Sequence, residues 1–169
     1  MKDRSPGTAA SVELRVEPYD SPAATAMVQA ANRTNAALYG HADQSPLSPD
    51  EFSPENRGRF IVVYLDDGTP VACGGYRRHH DDLSGNTAEV KRMYVEPQVR
   101  RLGLARIVLA RLEHDALTDG YTTAILDTGS KQHAAHALYE QCGYQRTASF
   151  GTYRDKPGNR AYLKPLKLK

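Results

Sequence analysis

The sequence predicts a single α/β domain, in which helices flank a mixed central sheet of mostly antiparallel strands with one parallel pair. Three observations support this class. The length of 169 residues is that of one ordinary domain. Segments with the periodicity of strands alternate along the chain with segments of helical periodicity. The strand–helix–strand unit at 87–127 should cross over right-handed, which makes its two strands parallel.

The first third of the chain is expected to form a strand and a helix. Apolar and polar residues alternate over residues 12–16, which is the period of a half-buried strand. Ser21 followed by Pro22 is typical of a helix start, and Gly40 can end that helix. One short helix is expected to begin at residues 49–51.

The remaining elements form a meander followed by alternating helices and strands. Strands are expected over 60–65 and 71–76, with a hairpin turn between them at 66–68, and over 87–95. In the last third, the patterns predict an amphipathic helix, a buried strand, a second helix and two extended segments. These lie, in that order, at 103–117, 122–126, 133–142, 144–153 and 160–168.

The charge balance excludes a dedicated nucleic-acid coat. The chain has 22 Lys and Arg against 20 Asp and Glu, a net charge of +2, whereas such proteins carry a large basic excess on one face. The basic runs at 77–80 and 164–169 keep nucleic-acid binding as a minor alternative, weakened by the acidic residues Asp81 and Asp82 that follow the first run.

Targeting signals and cysteines indicate a cytoplasmic protein. No segment is apolar over the about 18 residues that a membrane-spanning helix needs. Residues 1–11 lack the apolar run of a secretory signal, so they are predicted to be a disordered lead to one domain over 12–169. Cys73 and Cys142 are expected to be buried free thiols. Because no Cys and His spacing suits zinc, no metal is expected.

The stretch 95–106 predicts an anion site. A strand ends, the chain turns, and a helix begins with small residues at Gly103 and Ala105. Amides at a helix start have no partner within the helix, and together with the helix dipole they attract anions. The Walker and dinucleotide-binding motifs are absent, and an ordinary solvated basic turn is the alternative. Three arginines add positive charge to the turn: Arg100, Arg101 and Arg106.

At this motif and at a second one, the chain resembles the GNAT acyl-CoA N-acetyltransferase superfamily. The first family motif, Arg/Gln-x-x-Gly-x-Gly/Ala, is matched at 100–105. The second, Leu-Tyr-Glu-x-x-Gly-Phe/Tyr, is matched at 138–144. The resemblance covers about residues 12–168 and implies the GNAT fold. It also implies direct transfer of an acetyl group from acetyl-CoA to a primary amine in a ternary complex.

The resemblance further implies where acetyl-CoA binds. The end of the strand at 93–95 should offer main-chain hydrogen bonds to the pantetheine arm, and the backbone of 101–106 should hold the pyrophosphate. Gln132 stands where the family commonly has an asparagine that contacts the cofactor. The expected cofactor-binding residues are therefore Met93, Tyr94, Val95, Arg100, Arg101, Leu102, Gly103, Leu104, Ala105, Arg106 and Gln132.

Three residues are candidates for the chemistry, which needs the ammonium to lose a proton and the thiolate to gain one. By the resemblance, Tyr139 is the acid that serves the thiolate. Glu89 and Asp127 compete to assist the amine, through water or by orienting it, because a carboxylate with a pKa of about 4 is a poor base for an ammonium. Structural roles stay open for all three: packing for Tyr139, an ion pair for Glu89 and a cap for Asp127.

The expected acceptor is the primary amine of a small molecule, with neither nucleic acid nor membrane as a partner. A protein or peptide N-terminus is one alternative, and a catalytically silent acyl-CoA-binding module is another. Because the last strand is expected at a sheet edge and family members are often dimers, a homodimer is expected. Aromatic and cationic side chains in the segments that the family uses for the acceptor suit an amine bearing a carboxylate or an aromatic ring: Tyr39, His41, Arg59, Phe150 and Tyr153.

Overall fold

The computed structural model describes residues 11–168, and it confirms the predicted fold class and element order. Residues 1–10, most of the predicted disordered lead, lie outside the described part of the chain. Residues 11–168 form one seven-stranded sheet and three α-helices. In chain order the elements are β1 (Val12–Val16), α1 (Pro22–Tyr39), β2 (Arg59–Leu65), β3 (Pro70–Arg78), β4 (Thr87–Val95), α2 (Leu104–Thr118), β5 (Thr123–Gly129), α3 (His133–Gln141), β6 (Gln145–Thr147) and β7 (Asn159–Pro165).

The sheet has the strand order β1-β2-β3-β4-β5-β7-β6. Within residues 11–168 every neighbouring pair is antiparallel except β4 and β5, which are the predicted parallel pair. The expected edge position of the last strand was wrong, because β7 lies inside the sheet between β5 and β6. The homodimer, which that edge position supported, stays a prediction.

Only a short part of the extended segment predicted at 144–153 belongs to the sheet. β6 has three residues and pairs with β7. The chain then leaves the sheet edge, and Phe150 packs in a small apolar cluster with Ile125 and Ala161. A 3₁₀ turn follows at Gly151–Tyr153. The physical reason for the difference is therefore that the segment covers a face of the sheet instead of extending it.

Two helices bury opposite faces of the sheet. Consecutive residues of a strand point to opposite faces, so Ile61 packs in one core with Val108 of α2, and Phe60 packs in the other core with Met27 of α1. The same alternation along β4 places Ala88 and Val90 in the α2 core, and it places the polar residues between and after them on the α1 face. Of the helices within residues 11–168, none has both the length and the apolar character to cross a membrane.

The parallel pair is hydrogen-bonded only at its start. Residues 87–89 of β4 pair with residues 123–125 of β5. Beyond this point β4 continues to Val95 paired with β3, and β5 continues to Gly129 paired with β7. The sheet therefore opens into a cleft between the C-terminal parts of β4 and β5, and the backbone groups that face the cleft pair with no strand within residues 11–168.

Candidate active site

The turn before α2 presents a row of free backbone amides, which we call the cradle (residues 101–106). Gly103 precedes the helix with φ +78°, and Arg101 also has a positive φ, +66°. No acceptor within residues 11–168 takes a hydrogen bond from the cradle amides, and the first bond of the helix joins the Ile107 amide to the Gly103 carbonyl at 3.1 Å. A Cβ on Gly103 would meet no atom within 4 Å, so glycine serves here through its backbone conformation. Such an exposed helix start attracts anions.

The three arginines of this turn differ in what they contact. Arg100 Nε donates to the Val95 carbonyl at 3.0 Å. Arg106 Nη2 donates to Gln141 Oε1 at 2.9 Å, which ties the start of α2 to the end of α3. Arg101 is exposed and makes no side-chain hydrogen bond with the rest of the described chain. Its guanidinium is therefore available to an anion on the cradle.

β4 carries a bulge shortly before the cradle. One residue lies between Cys73 and Gly75 of β3, whereas two lie between their partners Lys91 and Tyr94 of β4. Arg92 lies in the bulge with φ +61°. The last three residues of β4 follow the bulge and border the cleft. This is the segment predicted to contact the pantetheine arm.

A cavity of about 160 Å³ opens on the α1 face of the sheet, beside the point where β4 and β5 diverge. Strands β3, β4 and β5 form its floor, and the loops that follow α1 and β6 form its roof. Residues 11–168 contain no cluster of His, Cys, Asp or Glu suited to a metal ion. Both candidate carboxylates, Glu89 and Asp127, line the cavity, together with Ser45, Arg77, His79, Lys91 and Phe150.

Glu89 is buried, with 4% of its surface exposed, among cationic and polar donors. Its Oε2 accepts from His79 Nδ1 at 3.1 Å and lies 3.5 Å from Arg77 Nε. Its Oε1 lies 3.7 Å from Lys91 Nζ. Burial opposes ionisation of Glu89, but the hydrogen bond from His79 and the charges of Lys91 and Arg77 outweigh it and hold the pKa below its usual range. Glu89 is therefore an ionised carboxylate shared among three neighbours.

Asp127 is the contrasting carboxylate of the cavity. It lies on β5 two residues beyond Ile125, the partner of Glu89, and so on the same face of the sheet. Among residues 11–168 no cation lies within 4 Å of its carboxylate. Burial raises the pKa of Asp127, and the charge of Glu89 adds to this increase while Lys91 opposes it. A half-buried carboxylate without an ion pair is suited to bind a positively charged group.

A network around Asp43 fixes the roof of the cavity. Asp43, in the loop after α1, forms an ion pair with Arg92 of the bulge and accepts from the Tyr153 hydroxyl at 2.8 Å. Lys91 Nζ donates to Ser45 Oγ at 3.2 Å. Burial opposes ionisation of Asp43, but the charges of Lys91 and Arg92 and its hydrogen bonds lower the pKa to about 2. The roof is thus held by charge as well as by packing.

Tyr139 lies on α3 and is buried in the α2 core. Its ring packs against those of Tyr144 and Tyr162, at centroid distances of 5.8 and 6.0 Å. Its hydroxyl donates to no acceptor within residues 11–168. Burial raises the pKa of Tyr139, and the charge of Asp127 raises it further. The phenol therefore stays protonated, and no described protein group takes its proton.

Two further predicted residues are engaged elsewhere. Gln132 joins three elements, because its Oε1 accepts from Thr128 Oγ1 at 2.9 Å and its Nε2 donates to Asn35 Oδ1 at 3.1 Å. Arg59, expected near the acceptor, lies on the α2 face and pairs with Asp119 at 3.2 Å. This expectation was wrong because residue 59 of β2 points away from the α1 face, on the same side as residue 61.

The other four residues expected near the acceptor divide into two pairs. Phe150 lines the cavity, and Tyr153 belongs to its roof. The Tyr39 hydroxyl instead accepts from the Lys131 amide at 3.2 Å, at the far end of α1. His41 is exposed. The structure therefore brings together the side chains that follow β6 and leaves out those at the end of α1.

Sequence reasoning missed four residues of this region: Arg77, His79, Lys91 and Asp43. Arg77 and His79 were interpreted as part of a basic run, yet the structure buries both against the cavity. A signal was available, because alternate residues of a strand share a face and Arg77 pairs with Glu89 across an antiparallel register. No local sequence pattern connects Asp43 with the site, because its ion pair with Arg92 of β4 joins segments that are far apart in the chain.

Sequence comparisons identify relatives among acetyltransferases. The sequence model of the acetyltransferase (GNAT) family matches residues 24–144. An IAA acetyltransferase of Azospirillum brasilense is 36% identical over 108 residues, which cover 64% of this chain and 68% of that protein. An N-acetylaspartate synthetase of Rattus norvegicus is 28% identical over 113 residues, which cover 67% of this chain and 36% of that protein. The chain thus spans only about a third of the latter.

Solved structures resemble the whole fold. A Klebsiella pneumoniae protein, provisionally assigned as an acyl-CoA N-acyltransferase, superposes with a TM-score of 0.76 at 28% identity, covering 92% of this chain and 98% of its own. A provisionally assigned acetyltransferase of Salmonella typhimurium, solved with its cofactor acetyl-CoA, has a TM-score of 0.66 at 18% identity, covering 92% and 94%. The second likeness concerns the fold alone.

Proposed function

The chain belongs to the acetyltransferase (GNAT) family, and we propose that it transfers the acetyl group of acetyl-CoA to the primary amine of a small acceptor that carries a carboxylate. The transferase class follows from membership of the family. The proposal for the acceptor depends on one observation. The cavity beside the divergence of β4 and β5 holds a carboxylate without an ion pair, Asp127, next to buried cations.

The acetyl donor is proposed to lie along the end of β4, with its pyrophosphate on the cradle. The free amides of the cradle and the guanidinium of Arg101 fit a diphosphate. The unpaired backbone edge of β4 beyond Glu89 fits an arm that contains amide groups, because it offers both donors and acceptors. The reactive end of the donor would then reach the base of the cleft, where the cavity opens.

The acceptor is proposed to place its ammonium at Asp127 and its carboxylate at the buried cations. Lys91 Nζ makes one hydrogen bond within the described chain, to Ser45, so two of its donors remain. Arg77 Nε is buried without a hydrogen bond among residues 11–168. Unsatisfied buried donors of positive charge favour an anionic ligand. The name of one relative, N-acetylaspartate synthetase, supports the same acceptor chemistry.

The chemistry is proposed to be direct transfer in a ternary complex. The amine, after losing a proton, attacks the thioester carbonyl carbon, so that a C–N bond forms and the C–S bond breaks. Tyr139 gives its proton to the departing sulfur, whose own basicity rises in the same buried surroundings. Asp127 orients the amine. Glu89 assists it indirectly through the cationic and polar groups that it holds.

A protein or peptide N-terminus is supported less well as the acceptor. The roof joins the loop after α1 to the loop after β6, because the Gln44 amide donates to the Tyr153 hydroxyl at 2.6 Å and that hydroxyl donates to Asp43. An extended peptide would have to pass this roof. A catalytically silent module is also disfavoured, since it would not need Tyr139 and two cavity carboxylates.

Release of CoA thiol with matched amines tests the proposal. Each pair consists of an α-amino acid and the amine that lacks its carboxylate, such as phenylalanine and phenethylamine, and short peptides form a third arm. We expect kcat/KM to be at least tenfold higher for the carboxylated member. Lys91→Met should lower kcat/KM for the carboxylated member more than for the decarboxylated amine, and so reduce that preference. Equal rates within every pair, or fastest turnover of peptides, would contradict the acceptor assignment.

A further inference from the structure

His79 follows β3 and is held rigidly at the cavity wall, with 8% of its surface exposed. Its Nδ1 bonds to Glu89 Oε2 at 3.1 Å. Its ring packs edge-on against Phe150, with a centroid distance of 4.9 Å and an interplanar angle of 79°. Its amide donates to the Thr87 carbonyl at 2.9 Å. These three contacts fix the position of the ring, its rotation and its backbone.

The partner of Nδ1 determines which ring nitrogen carries the proton. An ionised carboxylate can only accept hydrogen bonds, so Nδ1 donates to Glu89. In the neutral ring Nε2 then holds the lone pair. Nε2 bonds to no group within residues 11–168, and the ring lines the cavity. A proton acceptor is thus available in the space proposed for the amine.

We propose that His79 is the catalytic base and that Glu89 is a positioning residue that acts through it. This inference rests on the proposed function, because it assigns the base of that reaction. The acceptor ammonium gives one proton to Nε2, and the electron pair left on nitrogen forms the C–N bond with the acetyl carbon. Glu89 stabilises the resulting imidazolium. As the C–S bond breaks, the sulfur takes the proton of Tyr139 and nitrogen loses its second proton to water. Water then returns a proton to the Tyr139 oxygen, and the imidazolium of His79 releases its proton to solvent, which restores both groups.

Two arguments favour the imidazole over the cavity carboxylates. Imidazoles ordinarily have a pKa of about 6.5, closer to that of an ammonium than the values of about 4 for carboxyl groups. Glu89 is already shared among three neighbours, and Asp127 is suited to bind the ammonium before the proton moves. A histidine oriented by a carboxylate is also an established arrangement for a base. The charged and titratable groups that face the ring are Arg77 on β3, Glu89 and Lys91 on β4, Asp127 on β5, and His80 and Asp81 in the loop that follows β3.

The first test replaces His79 by asparagine. The asparagine amide nitrogen can occupy the place of Nδ1, so the bond to Glu89 is kept while the base is lost. We expect kcat to fall about 10²–10⁴-fold with KM for the acceptor within threefold. The rate of the variant should keep rising tenfold per pH unit, because the amine must then arrive already deprotonated. His114→Asn, on an exposed part of α2, is the matched control and should leave kcat unchanged.

The second test asks whether the lost group is a base. His79→Ala leaves space in the cavity. Added imidazole should therefore raise kcat of this variant at least tenfold. Glu89→Gln should lower kcat by itself but have no further effect in the His79→Asn background, because a positioning residue acts only through the ring. The proposal is overturned by His79→Asn turnover within threefold of wild type, by failure of imidazole to rescue, or by additive losses in the double variant.

A third measurement depends on neither activity nor a variant. Nitrogen NMR of the wild-type protein with labelled histidine should show His79 protonated at Nδ1 and unprotonated at Nε2 in the neutral ring. The opposite tautomer would overturn the assignment even if the variants fail to fold. If wild-type protein releases no thiol with any amine of the panel, the proposed function fails. If the wild type is active and the His79→Asn variant is equally active, the proposed function stands and only the assignment of the base fails.

Discussion

The cradle and the cavity lie at opposite ends of the part of β4 that does not pair with β5. The cradle is formed by backbone groups, whereas the cavity is lined by side chains. The cradle consists of main-chain amides from six consecutive residues, and residues 101–103 at its start are exposed. The cavity consists of buried side chains from β3, β4, β5 and two loops. The cradle carries partial charges on backbone dipoles, whereas the cavity carries full charges on ionised groups that must balance each other.

This difference determines how each region should respond to change. A cradle amide carries only a partial charge and is exposed, so its loss costs little stability. A cavity charge is buried, so removing its partner leaves an uncompensated charge and costs much more. Changes in the cradle should therefore affect donor binding, whereas changes in the cavity should affect the acceptor, the chemistry and the stability of the fold together.

Tyr139→Phe should have the largest effect on turnover and should leave both regions intact. The variant keeps the ring that packs against Tyr144 and Tyr162 but removes the proton donor. We expect kcat to fall about 10²–10⁴-fold while CoA affinity, measured by calorimetry, stays within twofold. Tyr144→Phe removes a hydroxyl from the neighbouring ring of the same core and should leave kcat unchanged. Near wild-type turnover in Tyr139→Phe would return Tyr139 to a packing role.

The same contrast explains what could be predicted from the sequence. The cradle depends on local features, a glycine before a helix with arginines beside it, and these are visible in residues 100–106. The strand–helix–strand pattern predicts that the strands of Glu89 and Asp127 are parallel, and the register found in the structure places both carboxylates on one face. Both parts of the candidate site could therefore be proposed from the sequence alone.

The rest depends on contacts between segments far apart in the chain. Asp43 contacts Arg92, which lies 49 residues further along the chain. The apolar and polar periodicity of the sequence does not indicate such a contact. Arg59 was expected near the acceptor because the predicted strand began only at residue 60, but it is the first residue of β2, and the alternation of that strand places its side chain on the α2 face. The place of β7 inside the sheet likewise depends on pairing with β5, which the order of elements does not determine.

Asp43→Asn should break the cavity roof without touching the cradle. The carboxyl has a pKa of about 2 in the fold against an ordinary 3.8, so its ionised form stabilises the folded protein above pH 4. That contribution, about 2 kcal/mol, is lost as the pH falls from about 4 to 2. Urea unfolding at pH 7 should therefore show a loss of about 2 kcal/mol that shrinks towards pH 3. A loss that is independent of pH would contradict the ionic origin of the effect.

Two controls test whether the effect of Asp43→Asn is confined to the cavity. Asp155→Asn removes an exposed carboxylate outside the site and should change the free energy of unfolding by less than about 0.5 kcal/mol. CoA affinity of Asp43→Asn should remain that of the wild type, because Asp43 contacts the bulge and the roof and makes no hydrogen bond with the cradle. Weaker CoA binding in this variant would mean that the two regions are coupled.

Gly103→Val should give the smallest of these effects and tests the cradle alone. The residue has φ +78° and open space around its missing Cβ, so valine meets no atom there but disfavours the left-handed conformation by about 1–2 kcal/mol. The turn should relax to another conformation and its amides should no longer converge. We expect CoA affinity to fall about tenfold, or about 1.4 kcal/mol, with KM for the acceptor unchanged.

The matched control for this variant is Gly68→Val. Gly68 lies in the hairpin between β2 and β3 with φ +84°, and its missing Cβ also has no neighbour within 4 Å. The two substitutions therefore introduce the same kind of backbone strain, one in the cradle and one far from it in the fold. If both lower stability alike but only Gly103→Val weakens CoA binding in calorimetry, the conformation of the cradle itself is what binds the donor. Unchanged CoA affinity in a folded Gly103→Val protein would remove the cradle from the site, and donor binding would then depend on the arginine side chains instead.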